Sequence, residues 1–133
     1  MFEEHEIERR APVWHLLSEL FLDNELTDDR ARQIAAEIAI NGFSSAQTEA
    51  ILRDEVAPVF WGNLLATAGE WQPWSQQQVV QMIVGRLRAR TRWWHQFGVV
   101  SKLTAAAKMS GVRADWQRVK SYLEDPSVGV NAF

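Results

Sequence analysis

The chain has 133 residues, 47% hydrophobic and 23% charged, with a net charge of −3. This predicts one folded domain over residues 1–133 with a sizeable core, and argues against a disordered chain. No run approaches the ~18 apolar residues of a membrane span, and the absence of cysteine excludes disulfides and thiolate metal sites.

The start, MFEEHEIERR, has no apolar stretch after a basic one, so no secretory signal is read there and a cytoplasmic location is expected. The modest net charge hides an asymmetry. Through Trp74 there are 14 acidic and five basic residues, a net of −9, and from Ser75 onward three acidic and nine basic, a net of +6. Such a split serves an outside partner or holds two halves of one fold together.

Val13, Trp14, Leu16, Leu17, Leu20 and Phe21 recur at three- and four-residue spacing, the pattern of an amphipathic helix. Pro12 is expected in its first turn, where a missing amide costs nothing. Phe2 to Glu8 extends this helix upstream or forms a separate turn, with residues 1–10 open to fraying, and Asp23-Asn24 ends it. Thr27 predicts the N-cap of a second helix, with Asp28 and Asp29 well placed against its dipole. Ile34, Ala35 and Ile38 form its buried side and Gly42 its stop.

Ser44 and Gln47 have capping-box spacing and open a third helix carrying Ile51 and Leu52. Pro58 is expected to break or restart the chain before a short apolar helix, Val59 to about Gly69. Trp71 to Trp74, around Pro73, reads as a tryptophan-rich turn.

The longest helix starts at an N-cap near Ser75. Val79, Val80, Ile83, Leu87, Trp94 and Phe97 form its apolar stripe, and a kink or break is expected near Gly98. Arg88 and Arg92 fall on the opposite face. Arg90, eleven residues beyond Val79, lies only about 20° from it, inside the stripe. A stretch from Leu103 to Met109 stops at Gly111, and a last helix begins at Asp115 with Trp116, Val119, Tyr122 and Leu123. Asp125-Pro126 ends it, leaving 126–133 as a tail. No period-2 alternation appears, so the fold class is all-α, six to seven helices around one long central helix.

The three histidines, His5, His15 and His95, are scattered without metal-ligand spacing. No nucleophile elbow or glycine-rich phosphate loop is present, so no cofactor or metal is expected. An arginine inside an apolar stripe must reach water or meet an acid. Glu55 is the first-choice partner of Arg90, Asp54 the second and Glu70 the third, as a structural ion pair. Asp54 and Glu55, about 100° apart on a helix, cannot both enter one small site.

The run Arg86 to Trp94 mixes arginine with tryptophan as nucleic-acid binders do, but a pI near 5.6 argues against that partner. Glu70-Trp71 and Trp74 fit a protein-binding anchor as well as they fit the core, since tryptophan is enriched at interface hot spots.

Leu20-Phe21-Leu22-Asp23, Asp54-Glu55-Val56-Ala57-Pro58-Val59, Asn63-Leu64-Leu65 and Ala68-Gly69-Glu70-Trp71 together resemble a family of small uncharacterised bacterial proteins, a domain of unknown function. The likeness covers about the first three quarters of the chain and implies no catalytic residue. In style rather than motif, a small acidic helical protein of this kind is similar to the immunity partners of bacterial toxins. The expected function is therefore non-enzymatic binding of a protein such as a basic toxin, with Glu3, Glu4, Glu6, Glu25, Asp28 and Asp29 as the contact residues. The alternative is a small ligand-binder or enzyme using Asp54, Glu55, Glu70 and Arg90. A homodimer stays open.

Overall fold

A computed structural model describes the backbone of residues 2–125, and the side chains of these except 90–106. Its elements are helical throughout: α1 (Glu4–Ser18), a 3₁₀ turn (Glu19–Phe21), α2 (Asp28–Ile40), α3 (Ser45–Ile51), a π turn (Leu52–Val56), α4 (Ala57–Leu65), α5 (Gln76–Ser110) and α6 (Arg113–Glu124). The all-α class holds, with six α-helices and no strand among the described residues.

Local chemistry sets most of these ends. The Thr27 hydroxyl accepts from the Arg30 amide and opens α2. Complete capping boxes, Ser44 with Gln47 and Ser75 with Gln78, open α3 and α5. At the end of α2 the chain turns through Gly42 at φ +83°. There the amides of Gly42 and Phe43 return to the carbonyls of Ala39 and Ile38, the paired bonds that satisfy a helix C-terminus.

Several boundaries differ from the sequence reading: α4 ends at Leu65 instead of near Gly69, α6 begins at Arg113 instead of Asp115, and three others have a local cause. Pro12 lies well inside α1, which begins eight residues earlier at Glu4. Its missing amide frees the Glu8 carbonyl, but Glu8 is exposed and water can serve that oxygen. Nor does Pro58 break the chain. The turn before it widens instead, the Ala57 amide reaching back five residues to Leu52, so α3 runs through the π turn into α4. Finally, α5 passes Gly98 without a break and takes in Leu103 to Met109. An isolated glycine costs a helix about 1 kcal/mol, too little to end one extended on both sides.

The buried set joins all six helices. Trp14, Leu17 and Val13 of α1 meet Ile34 and Ile38 of α2, Ile51 of α3, Leu52 and Val56 of the π turn, Phe60 of α4, Val79 and Ile83 of α5, and Trp116 and Val119 of α6. α6 lies along α2, and α1 and α4 lie against α5. α3 and α6 run antiparallel: Ser45 bonds to Glu124, and Glu49 accepts from Trp116 and Lys120. No described helix is long and apolar enough to cross a membrane. The tail, 126–133, lies outside the described residues.

Candidate functional site

Glu55 is an acid inside the core, 8% exposed. Both its oxygens are occupied from α1: Arg10 Nη1 donates to Oε2 and Trp14 Nε1 to Oε1, each at 2.7 Å. Arg10 also donates through Nε to Glu6 at 2.7 Å and stacks on the Phe2 ring. Burial pushes the Glu55 carboxyl above its usual range, with the bonds from Trp14 and Arg10 pulling the other way. The Arg90 side chain lies outside the described residues.

The other two acids named with Arg90 stand elsewhere. Asp54 faces solvent and takes a two-pronged contact from its neighbour Arg53 at 3.0 Å. The Glu70 side chain is exposed while its backbone is bound into a loop. A cleft of about 240 Å³ reaches Glu55 beside Phe2, Arg10, Phe43 and Ile51, and neither Asp54 nor Glu70 lines it. Arg10 and Trp14 as the partners of Glu55 escaped the sequence reading, which placed Trp14 only on the apolar side of the first helix. Glu6, Arg10 and Trp14 are four residues apart on one face of α1, and a buried indole N–H usually needs an acceptor. That was the available signal.

A second polar knot surrounds Asn63, near the end of α4. Its Nδ2 donates to the carbonyls of Phe21 (2.7 Å) and Glu70 (3.1 Å), and its Oδ1 accepts from the Glu70 amide (2.7 Å). The Asp23 amide adds a bond to the Glu70 carbonyl at 2.7 Å, and Asn24 Nδ2 one to the Trp71 carbonyl at 3.0 Å. Gly69 is buried so tightly against this knot that a Cβ would stand 2.4 Å from the Asn63 carbonyl oxygen. Three of the four stretches that carry the resemblance thus meet here. The fourth supplies Glu55.

The two tryptophans of this loop part company. Trp74 is half-buried, its ring 4.6 Å from that of Phe60, and its carbonyl accepts from His15 Nε2 at 2.8 Å. Trp71 stands 63% exposed between these fixed points. Leu65, the last residue of α4 and the start of the loop, is 70% exposed.

The six acids assigned to a partner fall at two helix starts. Glu3 and Glu4 are exposed, whereas Glu6 is taken by Arg9 and Arg10. Glu25, Asp28 and Asp29 are exposed where the chain enters α2, and Asp28 also meets Arg32 and the Tyr122 hydroxyl. Among the described residues no three acids or histidines are placed to hold a metal ion.

The model of one protein family, described as a domain of unknown function (DUF7079), matches residues 8–122, and the chain belongs to that family. No curated protein and no solved structure matches the chain.

Proposed function

We propose that this member of a family of unknown function is a non-enzymatic protein-binding module that masks a basic toxin in the bacterial cytoplasm, as an immunity protein does. The observation that carries the reading is the stretch from Asp23 to Asp29. Asp23, Glu25, Asp28 and Asp29 are all exposed, with no basic residue between them in the sequence; in the fold Arg32 reaches Asp28 and Asp29, and Arg118 donates to the Leu26 carbonyl. Asp28 and Asp29 favour the start of α2, but Asp23 and Glu25 precede the helix. Asp23 and Glu25 have no ion pair among the described residues, and two such charges beside the acidic start of α2 suit a partner of opposite sign, whose approach the field accelerates.

The test is purification of the full chain from its own cells at an ionic strength well below 0.1 M, where charges act over more than about 10 Å. One basic protein should be retained and then released by added salt. A chain carrying Glu25→Gln, Asp28→Asn and Asp29→Asn should retain much less of it. A monomer that retains nothing at low salt contradicts the proposal.

A further inference from the structure

Resting on that reading, we propose that the contact is centred on Trp71, held out to solvent by a fixed loop inside an acidic rim. Tryptophan has more to gain from burial than any other side chain, yet this one is 63% exposed. Its exposure does not come from a loose loop. Before it, Gly69 is packed against Asn63 and both backbone groups of Glu70 are hydrogen-bonded. At Trp71 itself the carbonyl is held by Asn24, and three residues on the Trp74 ring packs at a tilt against Phe60.

A partner that takes up the indole therefore pays little to order the backbone, which is what turns an exposed aromatic into an anchor. Buried tryptophans ringed by polar contacts are the commonest carriers of binding energy.

The rim says what the partner is. Glu70 precedes Trp71. Asp23, whose amide bonds Glu70, and Glu25, next to Asn24, are exposed beside it. The two stretches themselves contain no lysine or arginine, neither between Arg10 and Arg30 nor between Arg53 and Arg86, and Arg118, which the fold brings to the Leu26 carbonyl, is already engaged by Asp115. The occupant is a basic protein with an apolar recess for the indole. A second copy docked face to face would set the acids of the two rims against each other, and a nucleic acid would set phosphates against them.

The experiment places a benzophenone amino acid at position 71 of the full chain or, as a control, at Ile40, which is 57% exposed, and irradiates the cells that make it. Position 71 should form an adduct with one basic protein, identified from its peptides, and position 40 should not. With that protein purified, Trp71→Ala should raise Kd at least about 30-fold and Ile40→Ala should leave it unchanged, both variants melting as the wild type does. No adduct at 71 while a partner is still retained at low salt overturns the anchor and leaves the partner reading standing. An adduct to a second copy or to an acidic protein overturns it as well. No adduct and nothing retained removes both.

Discussion

Arg10 and Glu55 are 45 residues apart in the sequence and 2.7 Å apart in the fold. The contact ties α1 to the π turn, and Trp14 completes it from one turn further along α1. A charge held this deep is weak evidence of net stabilisation, but losing its partner is costly.

Arg10→Met should therefore destabilise the chain by about 3 kcal/mol, toward the lower end for a broken buried pair because a fifth of the Arg10 side chain still meets water. Glu55→Gln keeps an acceptor for the indole and should cost less. Urea unfolding of both variants checks this. Equal losses would mean that leaving the Glu55 charge without Arg10 costs no more than removing that charge.

Asn63→Ala removes both sides of the bridge between Phe21 and Glu70, and should cost about 2–3 kcal/mol for the polar groups left unpaired. Its signature is local: amide hydrogen exchange should quicken first at Glu70 and Asp23, whose N–H groups lie in the knot. Exchange that quickens evenly along α1 and α2 would show instead that the knot does not hold the loop.

Two glycines seven residues apart should respond in opposite directions. At Gly69 a Cβ would meet the Asn63 carbonyl at 2.4 Å, a backbone atom that cannot swing aside, so Gly69→Ala should lower the melting temperature. At Gly62, within α4 and exposed, a Cβ meets nothing within 4 Å. Gly62→Ala should stabilise by about 0.5–1 kcal/mol through helix propensity and a less free unfolded chain. A loss at both positions would contradict this.

Much of the backbone was legible because its signals are local. Thr27, Ser44, Ser75 and Gly42 act on amides and carbonyls within a few residues, so their positions announce the helix ends. Pro12 and Pro58 misled for the same reason: local rules treat proline as a start or a break, while the outcome depends on what surrounds it. At Pro12 an exposed carbonyl accepts water, and at Pro58 a widened turn absorbs the missing donor. Helical phase marked Asp54 and Glu55 as pointing apart. It could not select Arg10 as the partner of Glu55, because that choice depends on how α1 crosses the π turn. The Asn63 knot was hidden too, as every one of its bonds involves a backbone atom that no residue type reveals.

Acid should expose two carboxyls acting in opposite senses. The bond from Trp116, with help from Lys120, holds Glu49 below its usual range against its partial burial. The unfolded chain then binds the proton more readily, so Glu49 contributes stability above the ordinary glutamate range that is lost as pH falls through its lowered value. Glu55 is raised by burial, so the native state takes up its proton first, and stability from this group grows as pH falls from neutral through its raised value. Urea midpoints from neutral pH down to about pH 3, around the unfolded glutamate value, should show a shallower acid loss for Glu49→Gln and a steeper one for Glu55→Gln. The reverse order would show that the two signs are misassigned.

The most direct measurement of whether the chain masks a toxin is growth of its own cells after its gene is removed with the neighbouring genes intact. Growth should stop, resume with the wild-type chain, and resume poorly with the chain carrying Glu25→Gln, Asp28→Asn and Asp29→Asn. It should also resume when the gene for the captured basic protein is removed as well. Unimpaired growth without the chain, while that basic protein is still being made, would contradict the account.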